Sequence, residues 1–227
     1  MVNEYNEEWG VEPAFTDAEV EKFKDEGGTD WQDQILRTAM IHNVLLSSSV
    51  DNDNLLYFLS AGYHDEEGII NNNDLKRFSI RSNLDINVSE KFKIGNSLTA
   101  SYIMENAIQN SGRIPATEPG AVYSALDVSP TDPVYNEDGS YFLYPTRSTR
   151  PNRNPLAIVE TQDIDYNTLR SLGTFFVNYE FIPGLTGKIN LGYDLLNRTE
   201  SAYYSRTTLL GKPSILIRVI GQEQIQK

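Results

Sequence analysis

The stretch of sequence that decides the fold is KRFSIRSNLDINV, residues 76–88. From Phe78 to Val88, apolar side chains occupy every second position of this stretch, and Ser82 is the only break in that row. Polar or charged side chains occupy the positions between them. Because successive side chains of a β-strand point to opposite faces, this period of two predicts a strand with one apolar and one polar face. The run is about twice as long as an ordinary strand.

The same alternation recurs along much of the chain. The clearest repeats lie at 92–104, 174–181 and 188–195, and weaker ones lie at about 40–50 and 54–64. We therefore predict six strands that follow one another in an antiparallel sheet.

The predicted connections alternate between tight and long. Tight turns are expected at 50–53, 87–91 and 182–185, and longer connections at 64–74 and 107–167. In an antiparallel sheet every second connection lies at the same end of the strands, so one end carries only tight turns. Transmembrane β-barrels have this arrangement, whereas soluble sandwiches mix turn lengths at both ends. The sequence thus predicts an all-β fold, an antiparallel transmembrane β-barrel segment of about six long strands.

The polar rows are rich in Ser, Thr, Asn, Gly, Asp and Arg, which suits a water-filled barrel lumen. The predicted lumen-lining residues are Arg77, Arg81, Asn83, Asp85, Lys93, Asn178, Lys188, Asn190 and Asp194. The apolar rows then face lipid. Tyr63, Tyr102, Tyr179 and Tyr193 either form aromatic girdles at the membrane interfaces or are ordinary strand residues, and the sequence leaves both interpretations open.

Composition excludes several classes of protein. The chain has 227 residues, 19 Lys and Arg against 32 Asp and Glu, a net charge of −13 and no cysteine. Nucleic acid is not an expected partner, because phosphate contacts need clustered cations. The absence of cysteine excludes a disulfide framework and a cysteine-based zinc site. The sequence also has no apolar run long enough for a membrane-spanning helix.

The case for an enzyme is weak, and we predict no catalytic residue, metal or cofactor. His42 and His64 are the only histidines, and the acidic residues that follow His64 are more typical of a solvated loop than of a metal site. The carboxyl pair Asp163 and Asp165 lacks any pattern that would position two acids for glycoside hydrolysis. Phosphate-binding and dinucleotide-binding glycine motifs are absent.

The long connection at 107–167 is rich in tyrosine, arginine and proline. We expect it to be an extracellular loop that contacts a partner or a substrate, since aromatic and arginine side chains are enriched at such surfaces. The candidate contact residues are Tyr123, Tyr135, Tyr141, Tyr144, Arg147 and Arg150. A packed loop without ligand contacts is the alternative.

Several motifs go beyond pattern. TDWQD at 29–33 is followed by Gly62-Tyr63, by EGII at 67–70 and by RFSIRSNLD at 77–85. Their order and spacing resemble the start of the barrel in the SusC/RagA family of TonB-dependent outer-membrane transporters of Bacteroidota. The resemblance covers roughly residues 25–110, and it covers 168–208 by pattern only. Ser49-Val50-Asp51 stands where family members commonly have a Ser-Gly-Gly turn.

The resemblance implies a role in transport across the cell outer membrane. Such a transporter imports oligosaccharides or peptides together with a SusD-like lipoprotein, and the TonB complex drives the import. The tyrosines and arginines of the loop would then contact that lipoprotein or the substrate, and the apolar rows would contact outer-membrane lipid. A soluble all-β carbohydrate-binding or adhesion module is the alternative function.

Barrels of this family resemble the roughly 22-stranded class, so six strands cannot close the cylinder alone. We therefore expect a fragment from the start of such a barrel, without its plug or its C-terminal strands. The predicted domains are a connecting segment at 1–28 with a short helix at about 17–24, a partial barrel at 29–210 and an unexplained tail at 211–227.

Overall fold

The computed structural model describes residues 2–108, 120–143 and 154–205. The predicted tail at 211–227 lies outside these residues. Five helices are described: α1 (Val2–Glu8), α2 (Asp17–Glu26), α3 (Trp31–Ile35), α4 (Ala121–Asp127) and α5 (Pro155–Thr161). The six strands are β1 (Ile41–Asp51), β2 (Leu55–Glu67), β3 (Asp74–Ser89), β4 (Phe92–Ala107), β5 (Gln162–Ile182) and β6 (Leu185–Tyr204). No helix in the described ranges is both long and apolar enough to cross a membrane.

The strands form one six-stranded sheet in the order β1-β2-β3-β4-β5-β6. Each of the first four neighbouring pairs is antiparallel, and the sheet contains no crossover. The predicted all-β fold with six long antiparallel strands is therefore confirmed. β5 and β6, with 21 and 20 residues, are much longer than the segments predicted for them.

The three tight turns all lie at the same end of the strands. Asn52 shapes the first turn, because its Oδ1 accepts hydrogen bonds from the backbone N–H groups of Asn54 (3.1 Å) and Leu55 (2.9 Å). The third turn needs Gly184, whose φ of 88° is costly for any residue with a side chain. The connections from β2 to β3 and from β4 to β5 start from the opposite strand ends, so the predicted alternation of tight and long connections is observed.

The chain divides into two compact units, which are described separately. Among the described residues, the sheet unit contains 38–107 and 163–203, and the helical unit contains 2–37, 108, 120–143, 154–162 and 204–205. This division differs from the predicted domains at 1–28 and 29–210. The TDWQD motif lies in the helical unit and forms the start of α3, where Asp30 Oδ1 accepts from the N–H groups of Gln32 and Asp33.

The helical unit has its own buried core. Helices α3, α4 and α5 pack against one another, with Trp31, Ile35, Ala121 and Val159 buried between them. Trp31 Nε1 donates to the carbonyl of Ser129 at 2.9 Å. The long connection predicted as a loop at 107–167 thus contains two helices, and it ends at Thr161 because β5 begins at Gln162.

The predicted short helix at 17–24 is α2. Thr16 caps it: the Thr16 Oγ1 accepts from the backbone N–H of Glu19, and the Glu19 carboxylate accepts from the backbone N–H of Thr16 at 2.9 Å. This reciprocal capping box is the arrangement that Thr-Asp-Ala-Glu predicts. The preceding helix, α1, was not predicted.

Candidate functional site

The polar face of the sheet is the candidate site, and strand register brings the predicted lumen-lining residues together on it. Asn87 pairs with Lys93 and Lys93 with Asn178, so these three side chains share a face. Positions an even number of residues away on each strand share it as well. The strand register therefore places the following predicted residues on one face: Arg77, Arg81, Asn83, Asp85, Lys93 and Asn178.

The predicted residues of β6 follow the same face. Lys188 Nζ lies 4.9 Å from the centroid of the Phe176 ring, and Asp194 Oδ2 lies 3.5 Å from Arg170 Nη2. Both partners are on the polar face of β5. Asn190 lies between these two positions with the same strand period. All nine predicted residues are thus on one face, and their role in lining a lumen stays a prediction.

A cluster of charged and aromatic side chains lies near the tight turns. Lys93 Nζ forms an ion pair with Asp85 Oδ2 at 3.0 Å and lies 6.0 Å from the centroid of the Phe176 ring. Lys188 approaches the same ring. Phe176 was not predicted, although its cross-strand partner Gly95 was a usable signal, since aromatic side chains often cover glycines in sheets.

Gly95 is required where Phe176 covers it. A Cβ atom at this position would lie 2.4 Å from Phe176 Cε1 and 2.5 Å from Asp85 Oδ1. We expect Gly95→Ala to displace the ring and to lower the free energy of unfolding by about 1–3 kcal/mol. Urea unfolding in detergent micelles measures this change. The control is Gly192→Ala, whose Cβ would have no neighbour nearer than 3.7 Å; an equal loss in both variants would contradict the steric explanation.

Further polar-face residues escaped prediction because β5 begins twelve residues earlier than the predicted segment at 174–181. Arg170 pairs with Asp194, and the guanidinium carbon of Arg198 lies 4.3 Å from the centroid of the Tyr166 ring. The sequence offered no clear signal here, because the apolar-face positions Asp163, Asp165 and Asn167 are polar.

The opposite face of the sheet is apolar and exposed. Val44, Tyr63, Phe78, Tyr102 and Leu169 are aligned across five strands by the register. The side chains that expose large apolar surface on this face extend over all six strands: Val44, Leu46, Val50, Leu59, Phe78, Ile80, Tyr102, Leu169, Phe175, Tyr179, Phe181, Ile189, Leu191 and Tyr193. The described sheet unit places nothing over them.

Aromatic side chains form two rows on the apolar face. Tyr63 and Phe78 lie with ring centroids 5.0 Å apart, in register with Tyr102. Nearer the tight turns, Phe92 and Tyr179 are 6.3 Å apart. Tyr193 instead lies over Gly173, between the two rows. Three of the four tyrosines considered for aromatic girdles are therefore in rows, and Tyr193 is not.

Three of the candidate contact residues of the long connection are described, and they lie in the helical unit. Tyr123 is exposed on α4. Tyr135 and Tyr141 face each other across an antiparallel bridge, with ring centroids 5.5 Å apart. The Tyr141 hydroxyl donates to the Glu160 carboxylate on α5. Tyr144, Arg147 and Arg150 lie outside the described residues.

The Tyr141–Glu160 contact has a consequence for pH dependence. Burial and the hydrogen bond to Glu160 both raise the pKa of Tyr141 above its ordinary value. The folded chain keeps this proton at a pH where the unfolded chain loses it. The stabilisation is therefore complete below the ordinary tyrosine pKa of about 10 and is lost as the pH rises above it.

We expect Tyr141→Phe to remove one tyrosine from those that ionise last in an absorbance titration of the folded chain. Glu160→Gln is the matched variant: it removes the negative charge and should lower the pKa of Tyr141 without removing its ring. An unchanged late phase in Tyr141→Phe would show that another tyrosine is responsible for it.

The residues considered for catalysis do not form a recognisable centre. His64 lies between Asn43 Oδ1, at 2.5 Å from its Nδ1, and Glu66 Oε2, at 3.1 Å from its Nε2. Asp163 Oδ1 accepts from the side-chain amide of Asn106. Within the described ranges, no group of three acidic or histidine side chains is arranged to hold a metal ion.

The antiparallel sheet has one polar and one apolar face, and its tight turns all lie at the same end of the strands. These features define a segment of β-barrel wall. Comparison with solved structures agrees: the structure of the RagAB peptide transporter aligns with 78% of this chain at a TM-score of 0.62 and 22% identity. The aligned part is 20% of that transporter chain.

Sequence comparison gives the family. The chain is 32% identical over 183 residues to TonB-dependent receptor P3 of Formosa agariphila, and 31% identical over 207 residues to TonB-dependent receptor SusC of Bacteroides thetaiotaomicron. No protein-family model matches the chain. In sequence and in fold it is similar to a segment of SusC/RagA-like TonB-dependent transporters, which confirms the resemblance predicted from its motifs.

The chain spans about a fifth of the length of these curated relatives, 18% of P3 and 19% of SusC. These relatives are named as receptors and not as enzymes, which agrees with the prediction that the chain has no catalytic activity.

Proposed function

We propose that the chain forms part of the wall of a TonB-dependent transporter in the outer membrane. Its apolar face contacts lipid, and its polar face lines the path of the transported substrate. The observation that carries the proposal is the exposed apolar face, which continues across all six strands. An apolar surface of this extent on a water-soluble protein would promote aggregation, whereas lipid covers it at no cost.

The spacing of the aromatic rows supports this orientation. Phe92 and Tyr102 belong to different rows and lie on the same strand, ten residues apart. At about 3.3 Å per residue and a tilt of about 40°, this separation corresponds to a height of about 25 Å. The apolar band of outer-membrane barrels has that height and is bordered by aromatic girdles on both sides.

The helical unit supports an extracellular role for the long connection. In outer-membrane barrels the short turns are periplasmic and the long connections extracellular. Helices α4 and α5 belong to the long connection between β4 and β5, which alternates along the chain with the tight turns. The exposed rings of Tyr123 and Tyr135 are then suited to contact a SusD-like lipoprotein or a bound substrate. Tyr144, Arg147 and Arg150 keep the same proposed role.

The proposed substrate of the parent transporter is an oligosaccharide or a peptide. RagAB, which shares the fold, is a peptide transporter. The substrate would be held at the extracellular loops and released along the polar face when the TonB complex acts on the rest of the transporter. This segment contributes no catalytic step.

Cysteine accessibility in lipid vesicles tests the orientation, because the chain has no native cysteine. Single cysteines are introduced at Ile80 and at Ser79, which are adjacent on β3 and face opposite ways. A lipid-soluble quencher should reach a fluorophore at position 80 and not one at position 79. Equal quenching at both positions, from a chain that stays dispersed in buffer without lipid, would favour the soluble binding module.

A further inference from the structure

Two arginines on the polar face lack a partner among the described residues. Arg77 and Arg81 are exposed on β3, and within the described part of the chain neither forms an ion pair or a hydrogen bond through its side chain. Two other cations of this face are paired: Lys93 with Asp85, and Arg170 with Asp194.

Small hydroxyl side chains lie between the two arginines and on both sides of Arg81. Ser79 lies between them on β3, and its partner on β4 is Ser101. Arg81 pairs with Ser60 on β2 and Thr99 on β4, and Ser60 is only 9% exposed. Because these side chains are short, their hydroxyl groups form a surface close to the backbone, beside the longer arginine side chains.

A third cation, Arg170, lies next to this hydroxyl surface. Arg170 on β5 is the cross-strand partner of Ser101. Its contact with Asp194 is 3.5 Å long and exposed to solvent, so water screens it and it can exchange for another anion. We name Arg77, Arg81 and Arg170, with the hydroxyl residues Ser60, Ser79, Thr99 and Ser101, the arginine patch.

Carboxylates lie near the patch without pairing with Arg77 or Arg81. Glu66 and Glu105 both lie level with Leu75, two positions beyond the residues that pair with Arg77. Glu66 contacts His64, which is the cross-strand partner of Arg77. Among the described residues, the guanidinium groups of Arg77 and Arg81 are therefore cations without a paired carboxylate, in a chain whose net charge is −13.

The spacing of the arginines indicates what they bind. Arg77 and Arg81 are four residues apart, which is about 13 Å along a strand. Each guanidinium presents paired N–H donors in a planar fork whose geometry matches the oxygens of a carboxylate or a sulfate. The hydroxyl groups beside the arginines can accept and donate further hydrogen bonds. We propose that the arginine patch binds an extended ligand that carries several carboxylates or sulfates. This inference rests on the proposed function, in which the polar face lines the substrate path.

Equilibrium dialysis of the chain in detergent micelles tests the proposal with three probes: trigalacturonate, triglutamate and maltotriose. We expect the two anionic probes to bind and neutral maltotriose not to bind. The double variant Arg77→Gln/Arg81→Gln should weaken anion binding about tenfold or more. Arg77→Lys/Arg81→Lys keeps the charge without the fork and should have an intermediate effect.

Lys76→Gln is the matched control, because it removes one positive charge from the same strand on the apolar face. It should change binding less than twofold. A preference for trigalacturonate would indicate a uronate oligosaccharide, and a preference for triglutamate an acidic peptide; either supports the patch. The proposal is overturned by equal losses in Lys76→Gln and the double variant, by equal binding of maltotriose, or by no binding of either anion.

Failure of this proposal and failure of the wall role give different results. A chain that passes the quenching test in vesicles but binds no oligoanion overturns the arginine patch alone. A chain that binds trigalacturonate but shows equal quenching at positions 79 and 80 overturns the membrane role.

Discussion

Leu191→Arg is expected to lower the free energy of unfolding by about 2–4 kcal/mol when the chain is in phospholipid vesicles. Leu191 lies on the apolar face with Phe175 and Tyr193, and its side chain is 64% exposed. It is six residues from Leu185, the tight-turn end of β6, and so lies near the middle of a membrane span of about ten residues. A guanidinium at this depth must lose its hydration or deform the bilayer.

Asn190→Arg is the control for this prediction, because Asn190 is adjacent and faces the polar side of the sheet. Unfolding of the vesicle-bound chain by guanidinium chloride should show that this variant changes the free energy of unfolding by less than about 0.5 kcal/mol, as most exposed substitutions do. If the two variants lose the same free energy, the apolar face does not contact lipid. If neither loses any, Leu191 faces water.

Asn154→Ala is expected to destabilise the helical unit by about 2–4 kcal/mol. Asn154 is fully buried, and it caps α5 through its Oδ1, which accepts from the Ala157 N–H at 3.1 Å. Its Nδ2 donates to the carbonyl of Val134 at 2.7 Å and approaches that of Phe142 at 3.4 Å. Alanine would remove the cap and the Nδ2 donor; the Val134 carbonyl would keep its hydrogen bond from the Phe142 N–H, at 3.1 Å.

Amide hydrogen exchange of α5 measures the loss, because local opening of the helical unit exposes its backbone. Asn136→Ala provides the comparison: Asn136 donates similar hydrogen bonds, to Ser140 Oγ at 2.8 Å and the Tyr141 carbonyl at 3.1 Å, but it is exposed. Water replaces these bonds, so a loss below about 1 kcal/mol is expected. Equal effects would show that burial of Asn154 does not matter.

The sheet could be predicted because its strands carry a regular period of two. Residues 76–88 alternate almost without a break, and the observed register puts Phe78, Ile80 and Leu84 on one face and Arg77, Arg81 and Asp85 on the other. A one-residue slip would exchange the two faces of a strand, so the pattern specifies the register. The start of β5 could not be predicted in this way, because its polar extension at 162–173 carries no such alternation.

The helical unit could not be predicted as a unit. Its helices are five or seven residues long where they pack, too short for a helical period to be recognised. Asn154-Pro155 was a usable start signal for α5, since Asn favours the N-cap and Pro the first helical position. The motif resemblance assigns Trp31 to the start of the barrel, and only the fold shows that it is buried among distant segments.

The sequence by itself determined the two faces of the sheet, the order of the strands and the family resemblance, because side-chain alternation and turn residues act between near neighbours in the chain. Tertiary structure alone decided three features: the cover of Phe176 over Gly95, the core of the helical unit, and the lack of partners for Arg77 and Arg81 within the described ranges. Each depends on which residues from distant segments meet in space, and side-chain size and charge at single positions do not encode that encounter.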